Sequence, residues 1–248
     1  MGMFVRGGGR REVLPIMPPI ILEKQMNKFA KSMLAVAVLS VPFATQAESA
    51  IPGELSANAG FVTDYYFRGS NLGDGGAYAG VDYNLNGIYL GTWIIDDQTG
   101  GNDGLETDFY LGYGLDITES VSFSAGYTRY EYTYSSDFEH EINLNLGLGA
   151  FALEYSFGKD EDLGVPETDY DFTAVSWSGE VFSLTYGDFD NSDTDDGVSY
   201  IELAASGEVS GVDVTVTLGD QIDVQTAGVP GSTGNGYLIL DIGKSFDL

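Results

Sequence analysis

From Leu55 onward the chain alternates. Positions 55, 57, 59 and 61 read Leu, Ala, Ala, Phe, while 56, 58 and 60 read Ser, Asn, Gly. From Ala77 the apolar set is Ala, Ala, Val, Tyr, Leu, set against Tyr, Gly, Asp, Asn. The stretches "LETDFYLGYG", "EINLNLGLGA", "FALEYSFG" and "GVDVTVTLG" repeat the pattern, and 170–177 and 181–187 follow it in part. A period of two places successive side chains on opposite faces of a strand. Twelve such segments of about 8–14 residues can be counted, close to the 9–11 residues that a tilted membrane-spanning strand needs.

Alternation alone also fits a soluble sandwich, so the connections decide. After "DYYF" the link is long, and at Asn86-Gly87 it is a tight hairpin. Long links then fall at 96–104, 133–140, 159–168, 188–197 and 220–236, and short ones at 116–120, 149–150, 178–180 and 207–211. Strict alternation of long and short links puts both ends of the domain on the short-turn side. The pattern predicts an all-β, antiparallel, up-and-down transmembrane β-barrel of about 12 strands, with short periplasmic turns and long external loops. A Greek-key sandwich would not produce it.

The start of the chain changes the picture in two ways. "MNKFAKSMLAVAVLSVPFATQA", residues 26–47, runs from lysines through an apolar stretch to small residues. That order is a secretory signal peptide, with cleavage expected after Ala47 and an outer-membrane destination. Residues 1–25 read as an upstream extension from an early start codon, which leaves 48–248 as the barrel. Residues 1–47 also hold six of the ten Lys and Arg and two of the 38 acids. What remains has four bases (Arg68, Arg129, Lys159 and Lys244) against 36 acids, a net charge of −32. Such a balance excludes nucleic-acid binding, which needs clustered cations. With no cysteine, disulfides play no part.

Candidate chemistry is sparse. The one histidine, His140, stands between Glu139 and Glu141 with no nucleophile spacing beside it, so no catalytic residues are assigned. In "DFDNSDTDDG", Asn191, Asp193, Asp195 and Glu202 occupy the first, third, fifth and twelfth positions of a calcium loop, but Asp196 sits where glycine makes the turn. We expect at most a weak site there, and weakly bound calcium or magnesium at the acidic loops where they meet lipopolysaccharide phosphates. No other cofactor is expected. Parity puts Asp82, Glu106, Asp108, Glu154, Asp213 and Asp241 on the inner face as candidate pore-lining residues. Gly80, Gly112, Gly126 and Gly147 share that face, where they either open the bore or seat a neighbouring tyrosine.

"DYYFRG", residues 64–69, reads as the top of the first strand. Parity from Phe61 sends Tyr65 and Phe67 out to the lipid interface and Asp64, Tyr66 and Arg68 inward. Arg68 is expected as a structural tie at the mouth with Tyr66 and Tyr78, and Tyr237 and Asp241 are further inward candidates nearby.

Residues 54–93, "ELSANAGFVTDYYFRGSNLGDGGAYAGVDYNLNGIYLGTW", resemble the opening of the TorF-type porin family of conserved outer-membrane proteins. "GFVTDYYFRG", "AYAGVDY" and "GIYLGTW" carry the resemblance, and "LETDFYLGYG" looks like the next element. The resemblance is specific through about residue 130, and the family's role as a pore is itself inferred. It implies a class and names no solute. The last strand keeps apolar residues at 238, 240, 242, 246 and 248, interrupted by Lys244, as a signal to the barrel-assembly machinery. Together these readings point to a monomeric barrel in contact with lipid and lipopolysaccharide, passing small solutes passively with a preference for cations. The alternative is a plugged barrel whose acidic loops serve adhesion or envelope stability. An outer-membrane rim enzyme is the third reading.

Overall fold

Tight turns at the positions where the alternation breaks divide the chain into strands. The structure is a computed structural model and describes residues 52–97, 104–161, 167–191, 196–226, 229–232 and 234–248. The leader and extension read from residues 1–47 lie outside the described residues. The strands are β1 (Glu54–Val62), β2 (Asp64–Phe67), β3 (Ser70–Asp74), β4 (Ala77–Leu85), β5 (Ile88–Asp97) and β6 (Gly104–Thr118). They continue as β7 (Val121–Tyr132), β8 (Phe138–Leu148), β9 (Phe151–Glu161), β10 (Thr168–Ser178) and β11 (Phe182–Asn191). β12 (Asp196–Val209), β13 (Val212–Thr226), β14 (Val229–Ser232) and β15 (Gly236–Asp247) complete the set. No helix occurs among the described residues.

Twelve of these strands close a ring. β4 to β13 pair antiparallel in sequence order, β13 pairs with β15, β15 with β1, and β1 with β4. Closure removes the edges of the wall, so its twelve strands leave no row of backbone N–H and C=O groups unpaired. Two of the short turns place both central residues at positive φ, Asn86-Gly87 and Ser210-Gly211, the backbone that a two-residue hairpin matching strand twist requires. Both ends of the barrel lie on that side, where Leu248 N–H donates to Leu55 C=O at 2.8 Å. The fold is therefore the closed up-and-down barrel that alternation and link lengths predict.

The outer wall is apolar. Leu148, Phe151, Trp177, Leu184, Leu203, Leu218 and Leu238 are all exposed and lie opposite one another in turn across seven neighbouring strands. An unbroken exposed apolar band of this kind is not a water-facing surface.

The inner wall has two halves. On the short-turn side, Ser122, Ser124, Ala152, Ser176, Ala204, Ser206 and Thr215 share the inward face, and small side chains leave the bore open there. Higher up, tyrosines lie across inward glycines of adjoining strands. A Cβ at Gly112 or Gly126 would meet Tyr89, one at Gly91 would meet Tyr110 at 2.6 Å, and those at Gly187 and Gly219 would meet Tyr200 and Tyr237. Of the two roles open to these glycines, Gly112 and Gly126 take the seating role. Gly80 and Gly147 stand against Asn58 and Ser122 instead.

Candidate functional site: a hairpin across the bore

At Thr63 the chain leaves the wall. Thr63 N–H donates to Leu240 C=O at 3.0 Å, and Val62 N–H donates to Gly76 C=O at 3.1 Å, so the wall closes beneath the departing segment. Gly75 and Gly76 make the return possible, because a Cβ on either would strike the backbone of Val62–Thr63 or of Asp96. Between these points β2 and β3 pair, among the described residues, only with each other, as a two-stranded hairpin inside the barrel. Its turn is Arg68-Gly69, both at positive φ (49° and 80°).

This corrects the expectation for Tyr65 and Phe67. Tyr65 is 9% exposed and packs with Tyr78, Trp93 and Ile95, and Phe67 packs against the same cluster; neither meets lipid. Parity from Phe61 does not carry past Thr63 because the strand ends there. Tyr65 also donates to Glu106 Oε1 at 2.8 Å. Tyr66 stacks on Tyr237 with ring centroids 3.9 Å apart. Tyr78 does not join Arg68; it donates to Asp241 at 2.6 Å, linking β4 to β15 across β1.

Arg68 is no rim residue. Its side chain is 7% exposed, and its fork meets the 0%-exposed Glu141 in bidentate fashion: Nη1 donates to Oε2 at 2.6 Å and Nη2 to Oε1 at 2.8 Å. Nη2 also reaches Glu154 at 3.3 Å. The guanidinium lies 4.3 Å from the Phe172 ring centroid and 4.7 Å from that of Phe67. Burial by itself would lower the guanidinium's pKa, but Glu141 and the neighbours around it reverse that and raise it, so the charge is permanent. Tyr237 and Asp241, its expected neighbours, are engaged elsewhere, Tyr237 with Glu202 at 2.7 Å.

The carboxylates that receive Arg68 are themselves well held. Glu141 also accepts from Tyr130 at 2.8 Å and from Asn143 at 2.6 Å, and Ser156 donates to Glu154 at 3.0 Å. In the ring of twelve, β9 with Glu154 stands six strands from β1, the diametrically opposite position. The hairpin therefore crosses the full bore. Gln221 of β13 secures the other flank, donating to Gly69 C=O at 2.7 Å.

The six candidate pore-lining carboxylates all project to the inner face but have different surroundings. Glu106 and Asp108 are buried near the hairpin, and Asp82 accepts from Tyr110 and Asn58. Glu154 belongs to the Arg68 cluster, Asp241 to Tyr78, and Asp213 is exposed near the short-turn end. Of the calcium pattern, Asn191 and Glu202 do not come together. Asp193 and Asp195 lie outside the described residues, but the Asn191↔Asp196 register puts Glu202 six residues further along the wall. That separation of about 20 Å is too great for one ion. No cluster of three metal-ligating side chains occurs among the described residues. His140 faces outward in register with Arg129 and Lys159, close to the rings of Tyr127 and Phe138.

Sequence reasoning passed over Glu141, Asn143 and Gln221. The parity of "EINLNLG", with Ile142 and Leu144 outward, already puts Glu141 and Asn143 inside. Gln221 shares the inward face of Gly219, displaced by the bulge opposite Ser199-Tyr200.

The molecule is thus a closed twelve-stranded antiparallel barrel with an acidic inner face and a latched hairpin across its bore. It belongs to the bacterial family Gcw_chp, described as bacterial protein of unknown function, whose profile matches residues 46–227. No curated protein matches the chain. Among solved structures the chain is similar to OccAB2 of Acinetobacter baumannii, with 10% identity and a TM-score of 0.43, over 82% of this chain and 66% of that one. The chain thus spans about two thirds of that protein's length. The barrel assignment itself stands on this chain's own register.

Proposed function

We propose that this protein is a monomeric outer-membrane channel of the TorF type, giving small solutes a narrow, cation-preferring, passive route. The observation that carries the reading is the inner wall: small and polar side chains on the short-turn half lead into a carboxylate-rich, tyrosine-lined upper half. A wall with that lining holds water, and twelve strands enclose more room than the eight that fill themselves. The hairpin narrows this path. Fixed carboxylates raise the local concentration of cations and lower that of anions. The apolar outer band supports a bilayer as surroundings, with lipid and lipopolysaccharide against the wall and the barrel-assembly machinery as the inserting partner.

One observation favours a second reading. Arg68 holds the hairpin so firmly that the barrel would be a closed plug with a structural or adhesive role. Single-channel recording in planar bilayers separates the two. The channel reading expects discrete conductance steps from wild-type protein, and larger ones when the Arg68 latch is removed. Silence from both proteins across voltages and salts would sink the channel and leave the plug.

A further inference from the structure

Between the hairpin and the upper wall of β6–β11 lies a cavity of ≈ 330 Å³. Its size is at the small end for ligand sites. We propose that this cavity binds a small organic cation, an alkylated or quaternary ammonium, held between aromatic rings and carboxylates. The proposal deepens the channel reading by naming the solute class at its upper vestibule, and rests on that reading only for the site's role in transport.

Charge comes first. Glu106, Asp137, Glu139 and Asp160 line the cavity, and Arg68 is the sole basic residue among its described lining residues. Arg68 cannot serve an incoming anion, since its fork is committed to Glu141 and Glu154. The cavity is therefore a cation site by field. It is enclosed enough to strengthen that field beyond what an open surface would allow.

Shape and surface come second. Tyr130, Tyr132, Tyr134 and Tyr170 line the cavity with Phe67 and Phe189. Several of these rings meet each other at an angle: Tyr132 and Tyr134 are tilted by 39° at 5.6 Å, and Tyr170 and Phe189 by 34° at 5.5 Å. Each pair packs together as one aromatic stretch of the cavity wall, and rings set around a cavity attract quaternary ammonium groups through the ring quadrupole. Bare metal ions would prefer converging oxygens, and no metal-ligating cluster is present among the described residues.

An unused polar group comes third. Tyr170 is 5% exposed, and its hydroxyl stands beside Glu141 without the geometry of a formed hydrogen bond among the described residues. A buried unsatisfied hydroxyl is costly, and a ligand carrying one hydroxyl beside its cationic head would relieve it. Choline has that constitution. A neutral sugar would also stack on tyrosines but would draw nothing from the four carboxylates.

The test uses the protein refolded in detergent micelles and isothermal titration with choline chloride, glucose and 3,3-dimethylbutan-1-ol, the uncharged isostere of choline. We expect choline to bind more tightly than its isostere by about tenfold or more, and glucose not to bind. Glu139→Gln with Asp160→Asn should erase most of that preference. Equal binding of choline and the isostere overturns the proposal, as does choline binding that the double variant leaves unchanged. No choline binding at all overturns it too. The comparison of choline with its isostere needs only wild-type protein, so a double variant that fails to fold does not weaken the test. Binding is read at equilibrium without current, so a silent barrel that binds choline sinks the channel alone, and a conducting barrel that ignores choline sinks this site alone.

Discussion

Arg68→Ala removes the latch at the hairpin tip and leaves Glu141, 0% exposed, and Glu154, 12% exposed, without their cation. Because these groups are almost wholly buried, screening by solvent does not soften the loss. Truncating one partner of a buried pair costs about 3–5 kcal/mol, because the remaining charge is stranded. Loss of the stacking on Phe67 and Phe172 adds to that. This cost falls on hairpin docking and not on the ring, whose closure uses none of these atoms. The docking equilibrium should therefore shift by about two to three and a half powers of ten. Hydrogen exchange of the peptide spanning Asp64–Asp74 reads the shift directly, as faster exchange in the variant with the wall strands unchanged. Arg68→Lys should fall between, because an ammonium keeps the charge but not the bidentate fork. Arg68 has φ 49°, and Ala and Lys carry a similar backbone cost there, so their difference isolates the side chain. If Arg68→Ala exchanged like wild type, the tie would be wrong and the hairpin would be held by its other contacts, Tyr65, Tyr66, Phe67 and the Gln221 bond to Gly69.

Three further outcomes follow from the same geometry. Tyr65→Phe removes the buried donor to Glu106 and should weaken hairpin docking by about 1–3 kcal/mol, less than Arg68→Ala in the same exchange experiment. Gly219→Ala forces Tyr237 from its seat, which breaks its bond to Glu202 and its stack on Tyr66, so the folded band on unboiled gels should unfold at a lower temperature. Gly207→Ala, where an added Cβ meets nothing within 4 Å, should not. Leu203→Arg, at the centre of the outer apolar row, should destabilise the barrel in vesicles by about 2–4 kcal/mol, read from denaturant titration of folding.

The barrel was legible because alternation and turn chemistry are local. "EINLNLG" states its own two faces, and Asn86-Gly87 and Ser210-Gly211 state their own turns. The site was legible only in part. Tyr65 and Phe67 satisfy strand parity and girdle composition as well as they satisfy an inward hairpin, so local pattern could not choose. The one departure, Gly75-Gly76 before the next strand, marks a close backbone approach without saying where the chain goes. Arg68 and its partners are 73 and 86 residues apart, and their meeting depends on how deep the hairpin reaches, which no neighbouring residue encodes. A Tyr–Gly pair such as Tyr89 and Gly112, inward and opposite in register, could have been found once the register was known.

The central claim is that the acidic inner wall selects ions passing the hairpin, and the reversal potential across a planar bilayer under a KCl gradient tests it most directly. Glu139 and Asp160 line the cavity and are less buried than Glu106 and Asp108, so the first pair should govern the field that ions meet. Wild-type protein should prefer K⁺ over Cl⁻ strongly at 0.1 M salt, where the Debye length is about 10 Å, and weakly at 1 M, where it is about 3 Å. Glu139→Gln with Asp160→Asn should reduce the preference at low salt. A reversal potential favouring Cl⁻, or a cation preference that neither salt nor the double variant alters, would contradict the account.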